Sequence, residues 1–409
     1  MRRRGLALGA VVAVVGPGLL AGLSDDDPAG ITTYSVLGAE YGYQLLWVLL
    51  LSTVALVMFH ALAARIGIVT GQGLIGLVRQ RYGVRVGATI LTALVVANIG
   101  TMCAEFAGIA AGFELFGVTS VLSVPLAAVT VSLLVLRGSF RRVEQALLLL
   151  STVFLAYIAS GIMARPDWNA AAEGLLVPTV PADRDAMVII AATVGTTLAP
   201  WGLAFIQSYA VDKKLRIEDL KLEKVDVTAG ALLTGIIGFF VVVACAATLH
   251  RTGRSITDAA DVAVALQPLA GGAASTLFGV GLIGAAVLAA SVLPMSTAYS
   301  VCEYAGFEAA LDDRYRDAKT FYLTFGLVTA VSAFAVVLPN APLVTILVAT
   351  QVLNAVLLIP LLIVMIAIGR DNYLMGRYRL HSAAMLWYCG AAIIIFACVA
   401  ALAIFALPG

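Results

Sequence analysis

Long apolar segments alternate with short polar loops along the whole chain. Eleven of these segments are about as long as a helix needs to be to cross a lipid bilayer, roughly 20 residues. They cover residues 8–37, 43–66, 86–115, 119–136, 143–163, 183–210, 226–249, 274–303, 321–338, 341–367 and 383–407. We number them spans 1 to 11. The pattern predicts an all-α polytopic membrane protein.

Composition supports this prediction, because the 409 residues are 61% hydrophobic and only 12% charged. Soluble domains carry about 25% charged residues. The five cysteines form no CxxC pair, so neither a disulfide framework nor a zinc site is expected. His60, His250 and His381 are too far apart in the sequence for a metal cluster, and we expect isolated residues at the membrane interface.

Basic residues are distributed unequally between the two sets of alternate loops. With the N-terminus in the cytoplasm, 21 of the 25 lysines and arginines lie in cytoplasmic segments and only 4 lie outside. An excess of this kind is typical of the cytoplasmic loops of membrane proteins. We therefore expect a multi-pass membrane protein with a cytoplasmic N-terminus.

Three consecutive carboxylates lie in span 1, where residues 24–30 read Ser-Asp-Asp-Asp-Pro-Ala-Gly. An aspartate at the bilayer centre costs about 2.5–3.5 kcal/mol on insertion scales, so three of them need a compensating function. Pro28 lacks an amide proton and disfavours the α region at Asp27, so the helix should break and expose carbonyl groups. We interpret the break as a cation site centred on Asp27. A simpler role for Asp27, as the N-cap of the second half-helix, is compatible with ion binding.

A second interruption falls in span 6, where residues 191–202 read Ala-Ala-Thr-Val-Gly-Thr-Thr-Leu-Ala-Pro-Trp-Gly. Breaks in spans 1 and 6 are the pattern expected of two inverted repeats of five helices, with the substrate bound at the breaks. A tolerated proline kink is the alternative for span 6 alone. The predicted organisation is a first repeat over 1–163, an external connector over 164–182, a second repeat over 183–367, and span 11 within 368–409.

Two other spans carry polar side chains well inside the apolar sequence. Gln351 and Asn354 in span 10 are three residues apart and share a helix face. Their amide oxygens can bind a hard cation or its water, and the two residues can equally form interhelical hydrogen bonds. Glu105 in span 3 should face the bundle interior, where it belongs to an ion or proton pathway or pairs with a basic group.

Several motifs resemble those of the Nramp divalent-metal transporters. Gly16-Pro17-Gly18 is followed nine residues later by Asp27-Pro28, residues 45–51 read Leu-Leu-Trp-Val-Leu-Leu-Leu, and residues 62–71 read Leu-Ala-Ala-Arg-Ile-Gly-Ile-Val-Thr-Gly. The resemblance covers most of the chain and is strongest over spans 1 and 2. It implies a LeuT-type fold of eleven helices, which agrees with the number of predicted spans.

The chain departs from the family pattern at positions expected to bind metal. The family motif Asp-Pro-Gly-Asn is replaced at 27–30 by Asp-Pro-Ala-Gly, so the acid remains and the amide is lost. In span 6 the family offers an Ala carbonyl and a Met thioether before Pro-His. The matching residues here are Thr196, Ala199, Pro200 and Trp201. Loss of the methionine with gain of Thr and Ala resembles the prokaryotic Nramp-related magnesium transporters.

The resemblance and the residues together predict a metal-binding set consisting of Asp27, Gly30, Thr196, Ala199 and Gln351. Around it we expect vestibule or supporting residues, namely Asp25, Asp26, Asn354 and Trp201. Because successive helical residues turn by about 100°, the first two aspartates cannot both point where the third does. Replacing a soft thioether by Ala199 removes the preference for transition metals, and an oxygen-lined pocket suits a partly hydrated Mg²⁺ ion.

We therefore expect a secondary-active or facilitative transporter of Mg²⁺, and of Mn²⁺, working by alternating access. The acidic pair of the family's third helix is reduced to Glu105, with Met102 in the other place, so proton coupling should be weak or absent. The metal ion is the substrate, and we expect a monomer in the lipid bilayer with no cofactor, no nucleic-acid partner and no enzymatic activity. The alternative is a LeuT-type transporter of an organic cation or amino acid, with Asp27 as the counter-charge and Trp201 available for stacking.

Overall fold

A computed structural model of the chain describes residues 21–22, 24–137, 155–181, 183–254, 256, 259–263, 271, 274–307, 317–338 and 343–406. All regular elements in these ranges are helices, and sixteen of them are α-helices. They are α1 (Pro28–Tyr41), α2 (Leu46–Thr70), α3 (Leu74–Tyr82), α4 (Val84–Glu114), α5 (Ser120–Arg137), α6 (Leu155–Met163), α7 (Trp168–Leu176), α8 (Arg184–Thr197), α9 (Pro200–Asp212), α10 (Leu220–Cys245), α11 (Ala259–Ala263), α12 (Ala274–Ala305), α13 (Lys319–Val337), α14 (Leu343–Arg370), α15 (Asn372–Met375) and α16 (Ser382–Ala406). Residues 8–20 of span 1 and 143–154 of span 5 lie outside the described residues.

Eight helical stretches of the described residues are long and apolar enough to cross a membrane. They are Leu46–Thr70, Val84–Glu114, Arg184–Asp212, Ile217–His250, Ala274–Ala305, Lys319–Val337, Ala349–Arg370 and Ser382–Ala400. For spans 2 to 4 and 6 to 11, the helices start and end within six residues of the predicted limits. The predicted class, an all-α polytopic membrane protein, is confirmed.

Two short helices that the sequence analysis did not predict lie at opposite ends of the bundle. Helix α3 follows the last turn of α2 and carries Arg79 and Arg81 in its own last turn. Helix α7 lies in the predicted connector 164–182, near the start of α2, and Asp167 caps its N-terminus. We call these two faces of the bundle the α3 end and the α7 end.

At the α7 end, the connector is hydrogen-bonded to the turn between α1 and α2. The indole Nε1 of Trp47 donates to the carbonyl oxygen of Thr179 at 3.0 Å. The Thr179 hydroxyl donates to the carbonyl oxygen of Gln44 at 3.2 Å. Gly174 in α7 lies directly against the backbone of Tyr43. The connector is therefore a packed part of the bundle.

At the α3 end, the carboxylate of Glu303 in α12 joins three elements. It accepts a hydrogen bond from the Ser208 hydroxyl on α9 and another from the backbone N–H of Ile75 at 3.2 Å. The second bond satisfies an amide in the first turn of α3 that has no partner within its own helix. Nearby, Gln207 Nε2 donates to the carbonyl oxygen of Gln72 at 3.0 Å. These bonds link α3, α9 and α12 at this end of the bundle.

Close helix contacts at glycine positions join α4 and α14 to the interrupted spans. A side chain at Gly195 in α8 would overlap the backbone oxygen of Gln351 in α14. A side chain at Gly108 in α4 would overlap the ring of Pro28 at the start of α1. Both contacts require the missing Cβ of glycine, because interiors are packed at crystal-like density. They place α4 and α14 beside the two breaks.

Candidate functional site

The break in span 1 occurs where the sequence predicts it. Residues 25–27 are not helical, and α1 begins at Pro28. Asp27 is the N-cap of α1, and its Oδ1 accepts a hydrogen bond from the backbone N–H of Gly30 at 2.5 Å. The capping role of Asp27 is thus confirmed. Because Pro28 has no N–H, the carbonyl group of Ser24 loses the donor that a continuous helix would supply.

The break in span 6 lies between Thr197, the last residue of α8, and Pro200, the first residue of α9. Leu198 and Ala199 have non-helical backbone angles, with ψ of 73° and 134°. The interruption is more than a proline kink, because two residues leave the helix. Pro200 also leaves the carbonyl group of Thr196 without its helical donor.

The two breaks meet at Gly30. A Cβ atom on Gly30 would lie 2.8 Å from the carbonyl oxygen of Asp25, 3.2 Å from Asp27 Oδ1 and 3.2 Å from the hydroxyl oxygen of Thr196. We call these three oxygens the Gly30 oxygen cluster. They come from both interrupted spans, and the missing side chain of Gly30 keeps the space among them open.

A second carboxylate approaches Asp27 from α4. Glu105 lies within electrostatic range of Asp27, and Glu105 is fully buried. Neither oxygen of Glu105 has a hydrogen-bond donor among the described residues. Two buried carboxylates near each other repel, and a proton or a cation between them offsets the repulsion. Glu105 is therefore a candidate member of the same site as Asp27.

On α14, Gln351 lies beside α8, next in position to Thr196, because its backbone oxygen packs against Gly195. Its side-chain Oε1 accepts a hydrogen bond from Asn354 Nδ2 at 3.2 Å. The same Asn354 nitrogen donates to the hydroxyl of Thr101 in α4 at 3.2 Å. Asn354 thus forms the interhelical bond that the sequence analysis considered. The Gln351 oxygen retains a second lone pair for a cation.

Ala199 and Trp201 flank the start of α9 in different ways. Ala199 is the N-cap of α9, and its carbonyl oxygen accepts a bond from Gly202 at 3.1 Å. Trp201 is 1% exposed within the hydrophobic core, and its carbonyl oxygen accepts a bond from the Ser296 hydroxyl at 2.8 Å. Ala199 therefore contributes a backbone carbonyl group, and Trp201 contributes packing. Neither residue supplies the thioether of the family pattern.

The three consecutive aspartates have different neighbours. Asp25 faces His60 of α2, whereas Asp26 lies within electrostatic range of Tyr34 and Tyr157. Asp25 and Asp26 are 1% and 0% exposed, so neither lines open water in this structure. A vestibule role for them in other states of the protein stays a prediction.

His60 does not lie at the membrane interface as expected. It is fully buried in the middle of α2, so the prediction was wrong for this residue. The reason is its position inside an apolar span, far from either helix end, opposite a carboxylate that is distant in the sequence. The only signal available was an ionisable residue in the middle of a span.

Within the described ranges, no group of three or more His, Cys, Asp and Glu residues could hold a metal ion. The candidate site instead combines one or two carboxylates with carbonyl, hydroxyl and amide oxygens. Hard divalent cations use this mixture of oxygen ligands. Such a site is suitable for an ion that binds and is then released.

Replacing Gly30 by alanine should reduce divalent-metal affinity about tenfold, or about 1.4 kcal/mol. The new Cβ would lie 2.8 Å from the Asp25 backbone oxygen, so the oxygen cluster must rearrange. Calorimetric titration with Mn²⁺ measures the change. Gly76→Ala is the control, because a Cβ there makes only ordinary contacts of 3.7 Å or more. Unchanged affinity in Gly30→Ala would mean that the ion does not use this space.

A helical membrane bundle in which two spans break beside each other, with buried carboxylates at the breaks, is typical of LeuT-type transporters. A family model described as natural resistance-associated macrophage protein-like, Nramp, matches residues 18–405. The chain belongs to the Nramp family. This family consists of transporters and not of enzymes.

Similarity to individual proteins extends over nearly the full chain. A protein named divalent metal cation transporter MntH, from Burkholderia ambifaria, is 30% identical over 392 residues, which is 93% of this chain and 85% of the relative. The MntH of Yersinia pestis is 30% identical over 368 residues, 86% of each chain.

Solved structures support the same fold. The manganese transporter of Eremococcus coleocola superposes with a TM-score of 0.77 at 18% identity, covering 96% of this chain and 86% of the other. Mhp1, a nucleobase-cation-symport-1 family transporter, gives a TM-score of 0.60 at 14% identity, covering 95% and 90%. The predicted family and the predicted LeuT-type fold are confirmed.

Proposed function

We propose that this protein carries divalent metal ions, Mn²⁺ and Mg²⁺, across the membrane as a secondary-active or facilitative transporter. The Gly30 oxygen cluster carries the proposal. It joins the two interrupted spans at Gly30, and the buried carboxylate of Glu105 lies within electrostatic range of Asp27, where a cation would offset their repulsion. Alternating access then moves one interrupted span relative to the other around a fixed ion.

The ligands would be Asp27, the Thr196 hydroxyl, the Gln351 side chain and backbone carbonyls near Gly30 and Ala199. The names of the similar proteins support a metal substrate, since they are a divalent metal cation transporter and a manganese transporter. Oxygen ligands without a thioether support Mg²⁺ as a second cargo, because soft sulfur ligands are what select against it.

The orientation and organisation stay as the sequence analysis predicts them. The α3 end would face the cytoplasm, because the basic residues of α3 and of the loop after α9 lie there. The protein would lie in a bacterial inner membrane as a monomer, with inverted repeats over 1–163 and 183–367. Asp25 and Asp26 would attract cations in a state open to water.

Proton coupling would be weak or absent. Met102 stands in place of one acid, and Trp201 stands in place of the histidine that follows the proline in the family pattern. The membrane potential could drive uptake instead, since two charges crossing 100 mV supply about 4.6 kcal/mol. Glu105 would then serve as part of the ion pathway.

Uptake by the purified protein in liposomes tests this proposal. We expect Mn²⁺ and Mg²⁺ to enter when the liposome interior is negative, without a matching acidification of the lumen reported by a pH-sensitive dye. Liposomes without protein provide the background. Absence of uptake for both ions would contradict metal transport. Acidification that depends on metal and disappears in Asp27→Asn would contradict uncoupled transport.

A further inference from the structure

A buried imidazole and a buried carboxylate face each other next to the site described above. His60 Nε2 lies 4.0 Å from Asp25 Oδ2, and both side chains are fully buried. Neither ring nitrogen of His60 and neither carboxylate oxygen of Asp25 has a hydrogen-bond partner among the described residues. Buried polar groups are nearly always paired, so this arrangement calls for an explanation.

The pair lies closer to the α3 end than the Gly30 oxygen cluster does. A Cβ on Gly202, which is in the first turn of α9, would lie 3.5 Å from Asp25 Oδ1 and 3.6 Å from His60 Nε2. The α9 helix runs from the break in span 6 to the α3 end, so Gly202 lies within one turn of the break, on the α3 side. Because Gly202 has no side chain, the space between α2, α9 and Asp25 stays free.

The distance of 4.0 Å is too long for a direct hydrogen bond. A buried ion pair without further hydrogen bonds is unfavourable, because desolvation exceeds the attraction. Two ligands on nearly opposite sides of one metal ion, each about 2.1 Å from it, can lie this far apart. A cation between the two side chains would satisfy His60 Nε2 and the Asp25 carboxylate.

The chemistry of the pair differs from that of the Gly30 oxygen cluster. An imidazole nitrogen suits transition metals, whereas Mg²⁺ takes oxygen ligands. Asp25 contributes to both places, since its backbone oxygen belongs to the Gly30 oxygen cluster and its carboxylate faces His60. An ion can therefore move from the Gly30 oxygen cluster to His60 while it remains in contact with Asp25.

We infer that Asp25 and His60 form a second position for a divalent transition-metal ion, on the α3 side of the Gly30 oxygen cluster. The ion would occupy this position in transit, and the nitrogen ligand would favour Mn²⁺ over Mg²⁺ there. The inference rests on the proposed function in one respect: the transported ion reaches this position by way of the Gly30 oxygen cluster.

Electron spin-echo spectroscopy of bound Mn²⁺ tests the inference, because it detects a directly coordinated ¹⁴N nucleus. The full-length protein and its Asp27→Asn variant are loaded with saturating Mn²⁺. We expect ¹⁴N modulation in at least the variant, where the first position is weakened. The modulation should disappear in His60→Gln and in Asp25→Asn. It should persist in His250→Gln, a control whose ring bonds the carbonyl oxygen of Ala39.

A second measurement uses transport in liposomes. We expect His60→Gln to lower the ratio of Mn²⁺ to Mg²⁺ uptake about tenfold, as loss of a metal-supporting side chain does elsewhere. Mg²⁺ uptake itself reports that the variant is folded. An unchanged ratio in His60→Gln would contradict the inference.

The outcomes separate this inference from the proposed function. If wild-type protein binds and transports Mn²⁺ but neither sample shows ¹⁴N modulation, the second position does not exist and the proposed function stands. If wild-type protein binds no Mn²⁺ at all, both fail. Because the wild-type and Asp27→Asn spectra decide the question, a poorly folding His60 variant does not prevent an answer.

Discussion

Asp27→Asn should lower the affinity for Mn²⁺ and Mg²⁺ at least about 100-fold, or about 2.7 kcal/mol, and abolish measurable uptake. The substitution removes the negative charge at the centre of the Gly30 oxygen cluster and leaves the shape of the side chain almost unchanged. Asparagine is as good an N-cap as aspartate, so α1 keeps its capping bond to Gly30. Calorimetric titration and liposome uptake measure the two effects.

Asp167→Asn is the matched control. Asp167 caps α7 through bonds to the backbone N–H groups of Asn169 and Ala170, at 3.0 and 3.1 Å, in an exposed position. Both variants exchange an N-cap aspartate for asparagine, and only one of them changes the charge in the bundle interior. Equal metal affinity in Asp27→Asn and Asp167→Asn would show that Asp27 is not a ligand of the metal ion.

Gly195→Ala should destabilise the folded protein by about 1–3 kcal/mol and lower its thermal unfolding midpoint. The new methyl group would overlap the backbone oxygen of Gln351, so α8 and α14 must separate. Separation would also move Gln351 away from Thr196, and metal binding should weaken along with stability. Fluorescence-detected size exclusion after heating measures the unfolding midpoint.

The control is Gly326→Ala in α13. A Cβ at Gly326 would have no neighbour within 4 Å, so the change should be neutral or slightly stabilising through helix propensity. An unfolding midpoint for Gly195→Ala equal to that of Gly326→Ala would mean that the contact between α8 and α14 is not tight.

The positions of the breaks could be predicted from sequence because their cause is local. Pro28 and Pro200 each remove an amide proton and restrict the preceding residue, whatever surrounds them. The limits of most helices follow from apolar length, which is also a local property. The family motifs then supplied the arrangement of the helices.

The partners of buried polar residues could not be predicted in the same way. Glu105 was expected to face the interior, but its closeness to Asp27 depends on the packing of Gly108 against Pro28. The pairing of His60 with Asp25 likewise depends on how α2 lies against the break. Such contacts join residues far apart in sequence, and periodicity carries no information about them.

The bonds of Glu303 impose a mechanical constraint on the bundle. Its carboxylate holds Ser208 on α9 and an amide of α3 at the same time. If the end of α9 moves away from α3, Glu303 can keep only one of these two bonds. Either it moves with Ser208 and loses the bond to the α3 amide, or it keeps that bond and loses Ser208. Glu303 therefore couples the motion of α9 to fraying of the first turn of α3. The strength of its two hydrogen bonds would set how often this end of the bundle opens.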